Sequence, residues 1–569
     1  MTSKEIRKNF LEFFEKRGHK IVPSSSLLPK DDPSVLLTTA GMQQFKSYYT
    51  GEKDPIKDFG ARRAASIQKS FRTSDIDKVG NESHLTFFEM LGNFSFGDYF
   101  KENAIKWAWE FITKEMGISP ERCYVSVFNG DNKVPEDKES IEIWKSLGLS
   151  DNKIKKAGHK DNFWGPTGNE GPCGPTSEIY VDNIEIWNLV FNEYYCNPDK
   201  ILKPLKQKGV DTGMGLERLA MAIQNTPTVF ETDLFMDIIP EGLPAIMDER
   251  IRRIILDHSR AVVFLISDKV RPSNKEQGYI LRRLMRRMMA HFYKASAGSF
   301  HESDILGIDF LDIENLLKSV VRKYKDFYDN LDETIVLQVF REENEKFRQA
   351  MQNGIRELKK IDILDAVRAF NLFESYGLTF DVIKDFAGTK AANLNQKDFD
   401  AEFKKHQELS RTASAGMFKG GLADASEETI KYHTAAHLML AALRQVLGDQ
   451  VSQKGSNITP ERLRFDFSYN QKMAPEEIRQ VEDLVNDKIK EDLPVKMEEM
   501  TLEEARTAGA TGAFESKYGE RVKVYSIDNF SKEICGGPHV KHTGEIGKFK
   551  IIKEESSSAG IRRIRAIVE

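Results

Sequence analysis

The sequence SHLTFFEMLGNFSFGDYF, residues 83–100, decides the fold together with QKSFRTSD, residues 68–75, which precedes it. Its aromatic-rich runs predict a strand, a turn and a returning strand beyond the loop that begins at Arg72. Other short β-rich runs lie between turn-rich segments from about Ile21 to Pro240: Val35–Leu37, Thr86–Phe88, Tyr124–Val127, Ile184–Trp187 and Leu189–Phe191. This pattern predicts an antiparallel sheet with helices packed on it rather than repeated βαβ units.

A second decisive stretch, DTGMGLERLAMAI at residues 211–223, predicts a glycine-rich turn that leads into a helix. Gly213 and Gly215 would let the backbone approach a ligand closely, and Arg218 would lie in the first helical turn. Arg72 and Arg218 are therefore candidates for phosphate chemistry. The stretch has neither the Gly-Lys-Ser/Thr of a P-loop nor the third glycine of a dinucleotide-binding turn. Taken alone, it fits a structural turn better than a nucleotide site.

The composition excludes several classes of protein. The chain has 569 residues, 40% hydrophobic and 30% charged, so it can bury about four cores and is not globally disordered. It has no run of ~20 apolar residues and no apolar signal segment at its start, so we expect no membrane span. Four scattered cysteines fit a reducing compartment, and we expect a cytoplasmic protein. The net charge of −5 excludes a wholesale nucleic-acid coat.

One local segment is nevertheless strongly basic. Residues 250–294 contain 12 lysines and arginines but three acids. The spacing of Arg282, Arg283, Arg286 and Arg287 predicts a double row of guanidinium groups along one helix edge. Guanidinium groups suit phosphate oxygens, so this edge is a candidate RNA-binding surface. The alternative is a solvated face whose charges meet acidic neighbours across the fold.

The predicted secondary structure changes along the chain. The Thr2-Ser3-Lys4-Glu5 pattern predicts a capped helix at the start. Beyond the β-rich part the sequence is helical almost throughout, until small residues and glycine at 412–426 predict a linker. The last part begins helical and ends in strands at Val522–Ser526 and Gly547–Lys553. We therefore predict four segments: 1–243, 244–411, a linker at 412–430, and 431–569.

Two pairs of potential metal ligands lie in the last segment. His433 and His437, in HTAAH, are four residues apart in a predicted helix, so both imidazoles lie on one face. Cys535 and His539, in CGGPHV, complete a set of the kind that Zn²⁺ prefers. A helical pair of histidines alone is more often chance or core packing. HTAAH lacks the glutamate of the metalloprotease motif, and both a structural and a catalytic site stay open.

Together these stretches resemble the alanyl-tRNA synthetase family, a branch of the class II aminoacyl-tRNA synthetases. Arg72 with the strand after it resembles motif 2 of the class, and Gly213-x-Gly215-x-x-Arg218 resembles motif 3. The resemblance spans nearly the whole chain, through residues 23–46, 86–101, 171–179, 185–191, 211–219, 278–287, 433–448, 462–468 and 535–540. It implies an α+β multidomain fold: a class II antiparallel sheet with flanking helices, a helical tRNA-recognition domain and an α+β zinc-binding editing domain.

The resemblance implies an alanine–tRNA ligase. Such an enzyme activates alanine with ATP and Mg²⁺, and transfers it to the 3′ end of tRNA(Ala). Arg72 would contact the α-phosphate of ATP, Arg218 the γ-phosphate end, and Asp211 the ammonium group of alanine. The other residues implied are His84, Trp164, Ile186, Trp187, Asn188 and Gly215 for ATP, and Asn188 and Val190 for alanine.

For RNA, the resemblance implies two sets of contacts. Asn274 and Asp381 match positions that read the G·U pair of the acceptor stem, and Arg282, Arg283 and Arg286 lie on the basic helix. The editing domain would hydrolyse seryl- or glycyl-tRNA(Ala). It would use one zinc ion per chain, held by His433, His437, Cys535 and His539, with Gln453 lining the pocket.

Two other functions compete with the ligase. One is a stand-alone hydrolase of mischarged tRNA with a non-catalytic front half, and the other is a silent RNA-binding paralogue. Both predict a decayed activation site, whereas Arg72, Asp211 and Arg218 are all present. Relatives dimerise mainly through a C-terminal extension that is not matched after Glu569, so we expect a monomer.

Overall fold

The computed structural model describes residues 1–29, 35–166, 168, 170–240, 248–297, 310–415, 426–512, 521–558 and 560–569. The chain forms two compact units, Met1–Leu394 and Asn395–Glu569. Each unit combines helices with antiparallel sheet, which confirms the predicted α+β fold class.

The first unit is built on one large sheet. Its described strands are β1 (Lys20–Ile21), β2 (Arg63–Phe71), β3 (Phe87–Phe96), β4 (Cys123–Phe128), β5 (Ile154–Ala157), β6 (Phe163–Trp164), β7 (Gly171–Val181), β8 (Ile184–Cys196) and β9 (Leu202–Gly215). They lie in the order β1-β2-β3-β9-β8-β7-β4-β5, with β6 paired to β7. Among the described pairs, β1–β2 and β4–β5 are parallel and the others are antiparallel. The predicted antiparallel sheet is confirmed.

The predicted strand, turn and return at residues 83–100 is wrong. β3 runs without a turn from Phe87 to Phe96, antiparallel to β2 on one side and to β9 on the other. Gly92 lies in mid-strand, where an added Cβ would be 2.6 Å from the Thr212 carbonyl oxygen. The glycine therefore permits close approach of neighbouring strands and marks no turn.

Two other predicted runs also differ from the structure. Ile184–Trp187 and Leu189–Phe191 belong to one strand, β8, which pairs with β7 across one register shift near Trp187 and with β9 from Trp187 onward. Val35–Leu37 lies outside the described strands. Its apolar residues are therefore not evidence of sheet pairing. Short apolar runs do not distinguish a strand from other buried backbone.

Helices flank this sheet. The described helices of the first unit are α1 (Ser3–Glu15), α2 (Lys46–Thr50), α3 (Pro55–Phe59), α4 (Lys101–Glu110), α5 (Lys138–Ser146), α6 (His159–Asn162), α7 (Leu216–Gln224), α8 (Asp233–Met236), α9 (Glu249–Ser267), α10 (Glu276–Ala297), α11 (Leu311–Tyr324), α12 (Glu333–Lys359), α13 (Ala366–Tyr376) and α14 (Phe380–Ala387). α1 carries the predicted capping box between Thr2 and Glu5. In the part of the chain that the structure describes, no helix has the length and apolarity to cross a membrane.

Aromatic side chains join α1 to the sheet. Trp187 on β8 is fully buried, and its ring packs against Phe10, Phe14 and Phe111 with centroids 5.7–6.3 Å apart. This cluster lies on the side of β8 that faces α1. Neighbouring aromatic rings at these distances add to the free energy of hydrophobic burial.

Two buried ion pairs join α1 and α9 to the centre of the sheet. Arg7 on α1 pairs with Glu89 on β3, and Arg260 on α9 pairs with Glu217 on α7. The Glu89 backbone N–H donates to Glu217 Oε1 at 3.2 Å, so the two pairs form one network. The Tyr328 hydroxyl also donates to Glu89 Oε1, at 2.8 Å. Removing one partner of such a network would leave a buried charge uncompensated.

The second unit holds two smaller sheets. Its described helices are α15 (Gln396–Ala415), α16 (Glu427–Leu447), α17 (Pro475–Lys490) and α18 (Leu502–Thr507). Its described strands are β10 (Gln453–Thr459), β11 (Arg462–Ser468), β12 (Val495–Thr501), β13 (Thr511–Gly512), β14 (Arg521–Ile527), β15 (Ser531–Ile534), β16 (Phe549–Ser558) and β17 (Ile561–Val568). One sheet has the order β10-β11-β17-β16 and the other β12-β14-β15-β13. The predicted strands near 522–526 and 547–553 are both present.

Two helices extend into the two ends of the predicted linker, residues 412–430. α15 continues to Ala415, and α16 begins at Glu427, where the Ser426 side chain accepts a hydrogen bond from the Thr429 N–H. Residues 412–415 and 427–430 are therefore helical. The middle of the predicted linker, 416–425, lies outside the described residues.

Replacing Trp187 with alanine should lower the free energy of unfolding of the first unit by about 3–5 kcal/mol, because it opens a cavity among three phenylalanines. Urea unfolding followed by circular dichroism measures the change. Ile201, which is 55% exposed, is the matched control, and its change to alanine should cost less than about 0.5 kcal/mol. Equal effects of the two substitutions would contradict the core position of Trp187.

Candidate active site and metal centre

One cleft opens on the sheet where β7, β8 and β9 meet the loop after β2. Two adjoining cavities share Arg72, Met90, Glu185 and Gly213. The first is also lined by Asp75, His84, Ile186, Gly215 and Arg218. The second, about 350 Å³ in volume, is also lined by Trp164, Glu178, Asn188, Val190 and Asp211. The cleft thus brings together every side chain predicted for the nucleotide and amino-acid sites except Trp187.

Arg72 is a cation that forms no ion pair within the described residues, although Asp75 and Glu185 line the same cavity. Its backbone N–H donates to the Thr86 carbonyl oxygen at 2.9 Å, which closes the loop 73–85 at its base. The guanidinium carbon lies 5.0 Å from the centre of the Phe88 ring, and burial lowers the pKa of Arg72. Within the described residues the side chain makes no hydrogen bond or ion pair. Such a desolvated cation favours an anionic ligand.

Arg218 also lines the first cavity and lies in the first turn of α7. Its Nη1 donates to the Glu185 carbonyl oxygen at 3.0 Å and lies 3.5 Å from Glu185 Oε2. The backbone bond fixes the direction of the guanidinium group. The unpaired N–H groups at the start of a helix add positive potential beside it. The two arginines therefore give the first cavity two cationic groups.

Asp211 supplies a buried negative group to the second cavity. The residue lies on β9, beside Val190 of β8, and is 5% exposed. In the described part of the chain its carboxylate has no hydrogen-bond donor, and burial raises its pKa to about 7. A cationic ligand such as an ammonium group would stabilise the ionised form and lower that pKa.

Glu178 was missed by the sequence analysis. On β7 it accepts hydrogen bonds from Ser126 Oγ at 3.0 Å, the Tyr180 hydroxyl at 2.6 Å and Asn188 Nδ2 at 3.0 Å. Burial raises the pKa of the Glu178 carboxyl. The bond from Asn188 fixes its amide, whose buried Oδ1 has no partner among the described residues. Asn188 therefore offers a carbonyl oxygen to a donor in the cavity.

A separate cluster in the second unit can hold a metal ion. His433 and His437 lie one turn apart on α16, and Cys535 and His539 follow β15. The potential ligand atoms of these four residues all lie within 4.8 Å of one another. Cys535 Sγ is 3.3 Å from His433 Nε2. Three imidazoles and one thiol at this spacing match a tetrahedral N₃S set.

The outer nitrogens of the three histidines meet other groups. His433 Nδ1 is 3.0 Å from the Pro538 carbonyl oxygen, and His539 Nδ1 is 3.3 Å from Thr434 Oγ1. His437 Nδ1 is 3.5 Å from Glu533 Oε2. These contacts leave each Nε2 for the centre of the cluster, and the buried His539 Nε2 has no partner in the described residues. Such outer contacts orient metal-binding histidines.

The protonation of this cluster also suits a cation. Burial lowers the pKa of His433 to about 3 and that of His437 to about 4, so both imidazoles are neutral at physiological pH. Burial raises the pKa of the Cys535 thiol to about 11. A bound cation would lower that pKa and favour the thiolate.

Comparisons with known proteins agree with this geometry. A family model described as tRNA synthetases class II (A) matches residues 5–445, and one described as Threonyl and Alanyl tRNA synthetase second additional domain matches residues 522–565. The chain is 44% identical to an alanine–tRNA ligase of Treponema denticola, over 100% of this chain and 99% of that protein. The chain belongs to the alanyl-tRNA synthetase family. It is 43% identical to the family member of Borrelia hermsii, with 99% of each chain covered. It is 36% identical to that of Rubrobacter xylanophilus, over 100% of this chain and 79% of that protein.

Of the residues predicted for the ATP and alanine sites, Trp187 is the one whose side chain does not line either cavity. Its indole lies in the core with α1 and does not line the cleft. Successive side chains of a strand point to opposite faces, so Ile186 and Asn188 face the cleft while Trp187 faces away. Its backbone pairs with Met214 of β9.

Helix α10 holds the loop that follows Arg72. Arg287 Nη1 donates to the Ile76 carbonyl oxygen at 2.8 Å and to His258 Nε2 at 2.9 Å. Arginine can only donate, so His258 carries its proton on Nδ1 and donates to Asp257 Oδ2 at 2.8 Å. Asp257 accepts from the N–H and hydroxyl of Thr86 at 2.8 and 2.6 Å. This buried relay of hydrogen bonds ends at Thr86, whose carbonyl oxygen accepts a hydrogen bond from the Arg72 backbone N–H.

The predicted open row of guanidinium groups on α10 is wrong in part. Arg287 is buried, Arg286 Nε donates to Glu343 at 2.7 Å, and Arg283 donates to Asp77 at 2.6 Å. The alternative of acidic neighbours across the fold therefore holds for Arg283 and Arg286. Within the described residues Arg282 makes no side-chain hydrogen bond or ion pair, and burial lowers its pKa.

Three other predicted residues are not among those that line the two cavities. Asn274 is exposed in the turn between α9 and α10. Asp381 lies on α14, but its side chain is outside the described part of the chain. Gln453 is half-buried at the start of β10, where its Nε2 donates to Ser456 Oγ at 3.1 Å.

Asp211→Asn should change how the stability of the first unit depends on pH. The folded protein holds the Asp211 proton up to about pH 7, whereas the unfolded chain loses it near 3.8. The folded state therefore binds more protons between these values, and its stability falls as pH rises through them. The stability of the variant relative to the wild type should rise by about 2–3 kcal/mol from pH 5 to 7 and level off above.

Urea unfolding followed by tryptophan fluorescence measures this difference, because Trp107, Trp109, Trp144, Trp164 and Trp187 all lie in the first unit. Parallel stability curves for the two proteins between pH 5 and 8.5 would contradict the buried acid.

Proposed function

We propose that the protein is an alanine–tRNA ligase, which activates alanine with ATP and transfers it to tRNA(Ala). One observation carries this proposal: Arg72 and Asp211, each without a polar side-chain partner in the described residues, line the same cleft. The arginine suits a phosphate group of ATP, and the carboxylate suits the ammonium group of alanine. One cleft that offers both groups can hold the two substrates next to each other. The relatives named above as alanine–tRNA ligases support the same activity.

In the first step a carboxylate oxygen of alanine attacks the α-phosphorus of ATP. A new bond forms between that oxygen and phosphorus, and the bond to the oxygen bridging the α- and β-phosphates breaks, so pyrophosphate leaves with its electron pair. Arg72 stabilises the charge that develops on the α-phosphate, and Arg218 holds the γ-phosphate end. ATP enters as its Mg²⁺ complex. Positioning and cationic groups suffice, because no covalent bond to the enzyme is needed.

The second cavity holds the amino acid. Asp211 accepts hydrogen bonds from the ammonium group, and Asn188, fixed by Glu178, offers its free Oδ1 to the same group. Val190 and Trp164 supply apolar walls. Glycine and serine differ from alanine by a methyl or a hydroxyl group, and an apolar pocket rejects such differences only weakly. A second site that removes errors is therefore useful.

In the second step the terminal ribose hydroxyl of tRNA attacks the carbonyl carbon of the adenylate, and AMP leaves. We place acceptor-stem contacts at Asn274 and Asp381, with Arg282 as the helix α10 cation open to a phosphate. The division into a catalytic domain at 1–243, a tRNA-recognition domain at 244–411, a linker at 412–430 and an editing domain at 431–569 belongs to this proposal.

The cluster of His433, His437, Cys535 and His539 holds one Zn²⁺ in this proposal and forms an editing site. When bound, zinc polarises an oxygen-bearing group or lowers the pKa of water. The three outer contacts of the imidazoles keep the ring orientation, and Gln453 borders the pocket. The substrate of this site is seryl- or glycyl-tRNA(Ala), whose ester bond is hydrolysed to free amino acid and tRNA.

A stand-alone hydrolase of mischarged tRNA is less favoured. Such a hydrolase needs no ATP or amino-acid activation site, so it does not explain why Arg72, Arg218 and Asp211 line one cleft. A silent RNA-binding paralogue is disfavoured by the same three residues.

Arg72→Ala or Arg218→Ala should slow alanine-dependent ATP–pyrophosphate exchange about 30- to 1,000-fold. Each variant loses a cation that stabilises the transition state, worth about 2–4 kcal/mol. Arg62→Ala is the control, because Arg62 is exposed and lines neither cavity. Near-normal exchange in Arg72→Ala, with alanine and ATP saturating, would remove Arg72 from the reaction.

Cys535→Ala should lower the zinc content well below one per chain and slow deacylation of seryl-tRNA(Ala) at least about tenfold. Alanine-dependent pyrophosphate exchange should stay unchanged, because the first unit keeps its cleft. Elemental analysis and a deacylation assay measure the two effects. Cys123→Ala in the first unit should keep the metal. Fast deacylation by a wild-type protein without zinc would exclude the metal role.

A further inference from the structure

Three cations lie in one row across the outer face of the sheet β10-β11-β17-β16. Side chains of β11 alternate: Leu463 and Phe465 are buried, while Arg464 faces outward. Arg464 is directly opposite Arg565 on β17, and Arg565 is opposite Lys553 on β16. Neighbouring strands are about 4.8 Å apart, so the row places three positive groups side by side.

Carboxylates on this face neutralise part of the charge. Asp466 accepts two hydrogen bonds from Arg563, at 2.7 and 2.8 Å. Glu555 lies 3.0 Å from Arg565 Nη2 and 2.6 Å from Lys553 Nζ, so one acid serves two cations.

Arg464 has no such partner. Within the described residues it makes no side-chain hydrogen bond or ion pair, and its Nε is buried without an acceptor. The neighbouring Arg462 also has a buried Nη1 without an acceptor, although its Nη2 donates to Asn457 Oδ1 at 3.2 Å. Two adjacent arginines therefore hold unused N–H donors on the same face.

This arrangement costs stability in the unliganded protein. Like charges at directly opposite positions of neighbouring strands repel. Burial and the nearby arginines lower the pKa of Arg464, which reflects the same unfavourable surroundings. An anion beside this row would reduce the repulsion between the cations. Guanidinium groups match phosphate oxygens in geometry, often through two parallel hydrogen bonds.

We propose that Arg464, with Arg462 and Arg565, binds a backbone phosphate of tRNA. The site lies on the sheet face opposite the one that packs against α16, so it is separate from the metal cluster. It would hold the RNA while the 3′ end is processed elsewhere in the unit. The choice of RNA as the phosphate source rests on the proposed function.

Arg464→Gln is the test, with tRNA(Ala) binding measured by filter binding over a series of salt concentrations. The variant should bind tRNA several-fold more weakly. Its slope of log affinity against log salt should be smaller by about one, because one phosphate contact is lost. Arg479→Gln on α17 is the matched control: it removes the same charge from an exposed position of the same unit, and tRNA affinity should change less than twofold.

Hydrogen exchange of β11 and β17, with inorganic phosphate as a second probe, separates binding from folding. Arg464→Gln should keep or increase protection of these strands, because it removes repulsion. Phosphate should increase protection in the wild type but not in the variant if free phosphate can occupy the site. Protection by tRNA but not by phosphate would equally support the RNA site, since a polyanion binds more tightly.

Three outcomes would overturn the proposal. The first is an Arg464→Gln variant whose tRNA affinity and salt slope equal those of Arg479→Gln. The second is faster hydrogen exchange of β11 and β17 in Arg464→Gln than in the wild type. The third is protection of these strands in the wild type by phosphate but not by tRNA. Failure of the proposed function would look different. A wild-type protein that shows neither alanine-dependent pyrophosphate exchange nor tRNA binding would contradict the proposed function, independently of any result for Arg464→Gln.

Discussion

The buried network of Arg7, Glu89, Glu217 and Arg260 is the constraint on which the first unit depends. Its charges are removed from water, so each carboxylate must meet its arginine in one register of helices and strands. Glu89 immediately follows Phe88, which stacks on Arg72, and Glu217 immediately precedes Arg218. The network thus fixes the strand segment whose Phe88 packs against Arg72 and the helical turn that carries Arg218. A shift of either segment would separate buried charges and is strongly opposed.

The buried charged side chains described above fall into two groups: those that form ion pairs and those that do not. Buried charges that hold elements together are paired, as with Lys69 and Asp268 at 2.6 Å or Lys101 and Asp137 at 2.8 Å. Arg72 and Asp211, which line the cleft, have no such pairing in the described residues. Leaving a buried or half-buried charge unpaired is costly. Protonation offsets this cost for Asp211, and a ligand of opposite charge offsets it for both residues, so unpaired charge indicates a candidate binding position.

Much of the site could be predicted from sequence, because motif spacing reports which residues share a turn or a helix face. HTAAH and CGGPH predicted the four residues that the structure brings together in one cluster, and the glycine-rich turn predicted Arg218 at the cleft. The errors have physical causes. Trp187 was grouped with Ile186 and Asn188 by proximity in sequence, although strand alternation sends it to the opposite face. The arginine row of α10 was expected to be open because Asp77 and Glu343, its partners, are distant in sequence. Glu178 was missed because hydrogen bonds from Ser126 and Asn188 exist only after three strands pair.

The relay from Arg287 through His258 and Asp257 to Thr86 has a consequence for how this chain can evolve. The loop 73–85 and helix α10 are about 200 residues apart in sequence, yet the helix supports the loop through side chains and a backbone carbonyl. The two segments therefore form one structural unit. A chimaera that takes its helical region from a distant relative would need the matching loop as well. Recombination between them would be tolerated only where both parents share the residues of the relay.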